Sequence, residues 1–202
     1  MSDNIRVGLI GYGYASKTFH APLIAGTPGM ALAAVSSSDA AKVHADWPSV
    51  PVVSEPKHLF NDPNIDLIVI PTPNDTHFPL AKAALEAGKH VVVDKPFTVT
   101  LSQARELDAL AKSLGRLLSV FHNRRWDSDF LTVKRILSEG TLGEILFFES
   151  HFDRFRPQVR NRWREQAGPG SGIWYDLAPH LLDQAVNLFG LPVSMTVDLA
   201  QL

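Results

Sequence analysis

The segment Ile5-Arg6-Val7-Gly8-Leu9-Ile10 is short and apolar, and it breaks into Gly11-Tyr12-Gly13-Tyr14-Ala15-Ser16. An apolar run that stops at two closely spaced glycines reads as a buried strand entering a tight turn, and a helix is predicted to follow from about Ala15. The turn nearly matches the pattern G-x-G-x-x-G. Its first glycine permits the sharp change of direction, and its second lets the backbone approach a pyrophosphate with no side chain in the way. The helix that starts there offers unpaired N–H groups and a positive dipole end to the same anion. Ser16 stands where a third Gly or Ala is expected, at the position that governs close packing of helix on strand. Gly11, Tyr12, Gly13, Tyr14 and Ala15 are therefore candidate ligands of a dinucleotide.

Outward from this turn the pattern alternates. Strands are predicted at 31–35, 50–53, 67–70, 91–93 and 117–121, and helices at 55–60, 78–87 and 101–114, the last two closed by Gly88 and Gly115. Strand and helix in alternation imply an α/β fold with a doubly wound parallel sheet of Rossmann type, and ligands are expected beyond the carboxyl ends of its strands. The character changes near residues 121–126. A helix is predicted at 129–139, and a strand-like stretch at 144–155 mixes Phe147, Phe148, Phe152 and Phe155 with charged residues, as in a sheet with one face buried. These aromatics read as core rather than as a binding platform, and Arg154 and Arg156 face either substrate or solvent. A loop at 168–172, a helix at 177–189 and the start of a further strand at 195–202 complete the chain. The expected domains are 1–122, dinucleotide-binding, and 123–202, the incomplete beginning of an α+β domain with a mostly antiparallel sheet.

The chain has 202 residues, with 19 Lys+Arg against 21 Asp+Glu and a formal charge of -2, so no global field draws it to nucleic acid or to anionic lipid. It contains no cysteine, which removes disulfides, thiolate nucleophiles and cysteine-ligated metals together. The start lacks the layout of a signal peptide, and no apolar run approaches the ~20 residues that span a bilayer. The expectation is a soluble, cytoplasmic protein whose partners are small molecules.

The end of the second strand sets the cofactor. An acid there holds the ribose hydroxyls of NAD and repels a 2′-phosphate, whereas small hydroxyl side chains donate hydrogen bonds to that phosphate. Ser36, Ser37 and Ser38 occupy the place, which favours NADP over NAD. Asp39 is placed either to bind ribose or to cap the following helix, with the cap favoured. Lys42 either reaches the phosphate or is a solvated charge on that helix.

With the turn in place, three further segments resemble the glucose-fructose oxidoreductase and inositol dehydrogenase family (Gfo/Idh/MocA). They are Pro71-Thr72-Pro73-Asn74-Asp75-Thr76-His77, then Ala87-Gly88-Lys89-His90-Val91-Val92-Val93-Asp94-Lys95-Pro96, and Gly170-Ser171-Gly172 with Asp176 and His180. Together with Phe121-His122-Asn123-Arg124-Arg125-Trp126-Asp127 and Arg162-Trp163-Arg164, they look closest to the NADP-dependent scyllo-inositol dehydrogenase branch. The resemblance covers essentially the whole chain. It implies a hydride transfer between NADP(H) and a hydroxyl or ketone of a polyol or sugar, and a homo-oligomer formed through the C-terminal sheet where that sheet is complete.

The family's Glu-Lys-Pro signature reads here as Asp94-Lys95-Pro96. The resemblance places Lys95 against nicotinamide and the substrate hydroxyl, where a cation favours alkoxide character on the oxygen. It also implies a cis peptide before Pro96. Asp176 and His180 are spaced i to i+4 and share a face if the segment is helical, although Pro179 requires the helix to start near Asp176 or to kink. A histidine there can take the alcohol proton and return it, with Asp176 orienting the substrate or supporting the histidine charge. A metal reading lacks a convincing third ligand. By the same resemblance Pro71, Thr72, Pro73, Asn74 and His77 line the dinucleotide crevice, His77 capping its helix in the alternative, while Asn123, Arg124 and Trp163 contact cofactor or substrate, with boundary packing the alternative for Arg124. The competing function is a non-catalytic or truncated dinucleotide-binding module.

Overall fold

A computed structural model describes residues 4–153, 155, 157–158 and 166–199. The chain divides into two compact units, Met1–Phe121 and His122–Leu202. The first is built on strands β1 (Ile5–Ile10), β2 (Met30–Ser36), β3 (Val52–Val53), β4 (Leu67–Ile70), β5 (His90–Asp94) and β6 (Leu118–Phe121). The helices between them are α1 (Ala21–Gly26), α2 (Ala40–His44), α3 (Pro56–Phe60), α4 (Asn74–Glu86) and α5 (Leu101–Ser113). All pairings are parallel and the strand order is β3-β2-β1-β4-β5-β6. β1 and β4 are neighbours from which the chain winds outward in opposite directions, so a crevice opens at the carboxyl ends between them.

The apolar runs are continuous because both faces of the sheet are covered. Successive side chains point to opposite faces: Ile68 and Ile70 join Leu85 of α4 and Leu107 of α5 in one cluster, while Val69 joins Val7, Leu9, Val35 and Val43 in the other. At Gly8 the sheet is tighter still. A Cβ there would lie 3.0 Å from Cδ1 of Ile68 and 3.3 Å from Ile65, so a side chain would press on those two buried residues.

The helix expected after the phosphate turn begins as a wider π-helical turn, Ser16–His20, which runs directly into α1. Ser16 is buried, in keeping with a position that admits only a small residue against the strand. Thr100 and Gln103 form a reciprocal cap at the start of α5.

The second unit holds a 3-10 turn, Asn123–Trp126, then α6 (Ser128–Ser138) and α7 (Gly172–Phe189). α7 starts five residues before the predicted helix and carries Pro179 inside it, so the proline neither starts nor stops the helix. The stretches expected as strands, 144–155 and 195–202, contain no strand among the described residues. A strand is held by ladder hydrogen bonds to a neighbour, which alternation of side chains cannot supply by itself. Phe147 and Phe155 are accordingly 79% and 91% exposed rather than core, while Phe148 packs on Phe189 with ring centroids 5.1 Å apart. Among the described residues no helix is long and apolar enough to cross a membrane.

Candidate active site

In the first unit the phosphate turn and the serine run face one open groove of about 410 Å³, lined by Ile10, Gly11, Tyr12, Gly13, Ser36, Ser37, Ser38, Asp39, Lys42 and Ser54. Gly11 has φ of 78°, a left-handed conformation that favours glycine, and its N–H donates to the Ser36 carbonyl at 2.7 Å, which ties the turn to the end of β2. A Cβ on Gly13 would meet nothing within 4 Å, so its backbone is open to a ligand. Tyr12 is buried, and its hydroxyl donates to Asp46 at 2.9 Å. Asp46 also pairs with Lys17 at 2.8 Å. Hydrogen bonds from Lys17 and then Tyr12 hold the Asp46 carboxyl below its usual range, while burial and Asp46 push the Tyr12 phenol up. Tyr14, by contrast, is 78% exposed beside Phe19.

Asp39 caps α2, its Oδ1 accepting the Lys42 N–H at 3.0 Å. The Ser37 hydroxyl accepts from the Asp39 N–H at 3.1 Å. The carboxylate that would compete for a ribose is thus committed to a helix end, and hydroxyls and the Lys42 side chain remain around the groove. Ser54, just beyond β3, joins them across the sheet. Only the pairing of β2 with β3, with Ser36 opposite Val53, brings it there, and no local pattern marks it.

At the carboxyl ends of β4 and β5 the structure gathers Pro71, Thr72, Pro73, Asn74, His77, Asp94, Lys95 and Pro96. The Lys95-Pro96 peptide is cis, as the resemblance implies. The Lys95 N–H donates to Asp94 Oδ1 at 2.7 Å, and Asp94 Oδ2 lies 3.6 Å from Nε2 of buried His20, whose ring packs 4.3 Å from that of Phe121. Burial alone would raise the Asp94 carboxyl; the facing His20 and the Lys95 N–H outweigh it and hold the group below its usual range. His20, which the sequence did not single out, therefore stands behind the acid that shortens the family signature. Thr72 Oγ1 and Thr76 Oγ1 lie 2.6 Å apart, and the Thr76 hydroxyl donates to the Pro73 carbonyl. His77 does not precede its helix: it lies within the first turn of α4, fully buried, with Nδ1 2.9 Å from the Pro96 carbonyl and Nε2 2.8 Å from the Thr72 carbonyl.

The second unit carries the remaining groups. Asp176 and His180 both lie on α7, one turn apart on one face, with His180 buried and its ring 6.4 Å from Phe152. Arg124 stacks its guanidinium over Phe152 at 5.3 Å and pairs with Asp127 at 2.9 Å. Asn123 opens the 3-10 turn. Asp183, a further turn along α7, takes a bidentate grip from Arg125 at 2.7 and 2.5 Å, which holds that guanidinium's pKa up and joins α7 to the turn. Trp163, Arg154 and Arg156 lie outside the described residues. Among the described residues no group of three metal-binding side chains occurs.

The groove fits a dinucleotide by its donors: a glycine turn for the diphosphate and hydroxyls for a ribose. Comparison with known proteins agrees on a dinucleotide-binding fold. Residues 5–122 match the model of the oxidoreductase family with an NAD-binding Rossmann fold, and residues 130–202 match the GFO/IDH/MocA C-terminal domain. The chain is 89% identical over its whole length to the uncharacterized oxidoreductase YdgJ of Escherichia coli, covering 58% of that protein. It is 41% identical over 97% of its length to the NADP-dependent scyllo-inositol 2-dehydrogenase IolW of Bacillus subtilis, covering 55% of it. A solved oxidoreductase structure from Yersinia pestis, 74% identical, superposes with a TM-score of 0.89 over 95% of this chain and 54% of its own. The chain thus spans little more than half the length of the relatives it matches. With its glycine turn, its parallel sheet and both family models matched, the chain belongs to the Gfo/Idh/MocA family of oxidoreductases.

Proposed function

We propose that the chain is the nucleotide-binding part of an NADP-dependent dehydrogenase acting on a secondary hydroxyl of a polyol or sugar of inositol type. The observation that carries the reading is the groove at the ends of β1, β2 and β3, which Ser36, Ser37, Ser38 and Lys42 line together with Asp39, whose Oδ1 is engaged in the α2 cap. Ser36, Ser37, Ser38 and Ser54 supply hydroxyl donors and Lys42 a cation for a 2′-phosphate, and Gly11 to Ala15 hold the diphosphate. Bound NADP supplies the hydride acceptor, and its reduced form the donor. Lys95 lowers the cost of negative charge on the substrate oxygen. His180 takes the hydroxyl proton and returns it in the reverse direction, and Asp176 orients the polyol. Thr72, Pro73 and Asn74 line the nicotinamide end, and the family resemblance assigns Asn123, Arg124 and Trp163 to cofactor or substrate.

The 41% identity to an NADP-dependent inositol dehydrogenase supports both the cofactor and the substrate class. Titrating NADPH and NADH by fluorescence tests the first part: tighter binding of NADPH is expected, and Ser37→Asp should move the preference toward NADH. A scan of inositols and aldoses with NADP tests the second. Binding with no turnover of any polyol supports the non-catalytic module instead, and binding of neither nucleotide removes the redox reading.

A further inference from the structure

We propose that His77 is a positioning residue that carries a hydrogen on both ring nitrogens, clasping the Thr72 and Pro96 carbonyls at once and fixing the turn that presents Lys95. The inference rests on the reading of Lys95 above and extends it to a group with no contact to the reacting atoms.

Nδ1 stands 2.9 Å from the Pro96 oxygen and Nε2 stands 2.8 Å from the Thr72 oxygen. Peptide carbonyls only accept, and a neutral imidazole has one N–H and one bare lone pair. Either neutral tautomer would set a nitrogen lone pair against an oxygen lone pair at hydrogen-bond distance, with no water to relieve it, because His77 is 0% exposed. The doubly protonated ring satisfies both contacts.

The titratable groups on the surrounding elements have other engagements. Asp94 of β5 faces His20 and the Lys95 N–H, and Lys82 of α4 pairs with Glu106 of α5 at 2.7 Å. Asp75 in the first turn of α4 is exposed. Lys95 lies one peptide before the carbonyl that Nδ1 meets. The ring bridges the segment after β4, which carries Thr72, to the turn after β5, which carries Lys95. Loss of either hydrogen bond frees one turn against the other.

The test reads the ring directly. In the 202-residue chain labelled with 15N-histidine, the His77 signals are assigned by their loss in His77→Gln, and those of His20, the other buried imidazole of this unit, by their loss in His20→Gln. At pH 7 both His77 nitrogens should appear as N–H nitrogens whose hydrogens exchange slowly with water. A His77 ring with one bare nitrogen overturns the proposal, and where His77→Gln does not fold the ring signals are assigned in the parent chain by correlation to the His77 backbone. Where His77→Gln folds, turnover should fall between about 10- and 100-fold, because small misplacement of a reacting group carries that penalty, while the NADPH dissociation constant shifts less than about threefold. Undiminished turnover overturns the positioning role. Should the parent chain bind NADPH and turn over no polyol, the functional reading falls, and the ring spectrum alone decides the clasp.

Discussion

The two units of this chain treat apolar sequence in opposite ways. In the first, every strand from Ile5 to Phe121 has a neighbour, and β1, β2, β4 and β5 have one on each side, so Leu9, Ile68, Val91 and Val93 are almost wholly enclosed. In the second, Leu146, Phe147, Val193 and Leu199 are as apolar and stand exposed, with no strand among the described residues. The difference teaches that hydrophobic content does not make a core. A core needs a second layer in register, and the parallel sheet of the first unit receives one from α4 and α5 on one face and from α1 and α2 on the other.

The contrast predicts where substitutions act, and the largest effect belongs to the enclosed layer. Leu85→Ala removes a side chain with 0% exposure from the cluster between α4 and the sheet, and should lower stability to urea by about 2–5 kcal/mol, as buried leucine truncations do. A loss below about 1 kcal/mol would show that this layer collapses around the gap and is no tighter than the second unit. Gly8→Val tests the opposite fault, since its Cβ alone would sit 3.0 Å from Ile68. Overpacking of this kind should remove about 1–3 kcal/mol in the same measurement, and a neutral result would mean that the ends of Ile65 and Ile68 turn aside.

A smaller effect is expected at the rim of the groove. Asp39→Ala deletes the acceptor for the Lys42 N–H and should destabilise the unit by about 1 kcal/mol. Because the carboxylate is already committed to the cap, the same substitution should leave the ratio of NADPH to NADH affinity nearly as it was. A strong shift toward NADPH would show that Asp39 had been repelling the 2′-phosphate, and that the groove is less specialised than its serines indicate.

These sites also mark how far sequence reaches. β1 and β4 match their predicted bounds because each apolar run is cut by residues that cannot continue it, Gly11 in one case and Pro71 in the other. The cap at Asp39 and the cis bond before Pro96 were legible from a local motif and from resemblance. His20 behind Asp94, Asp46 behind Tyr12 and Ser54 beside the serine run were not, since each meets its partner only through the order and register of the strands. Asp183 on α7 escaped because its partner Arg125 lies 58 residues away in sequence, on the 3-10 turn. The strand expected at 144–155 failed differently: its alternation was read correctly as a pattern, but a pattern states which face a strand would bury and not whether a neighbour is there.

That last point carries the smallest predicted effect. Phe147 is as large as Phe60 of the first unit's core and 79% exposed, so Phe147→Ser should change stability to urea by no more than about 0.5 kcal/mol, the range of ordinary surface positions. The same substitution should raise solubility, because an exposed aromatic in a run with Leu146 and Phe148 favours association between copies. A loss comparable to that of Leu85→Ala would break the comparison at its root. It would mean that Phe147 is covered in solution, that 144–153 does lie against another layer, and that the second unit follows the same rule of enclosure as the first.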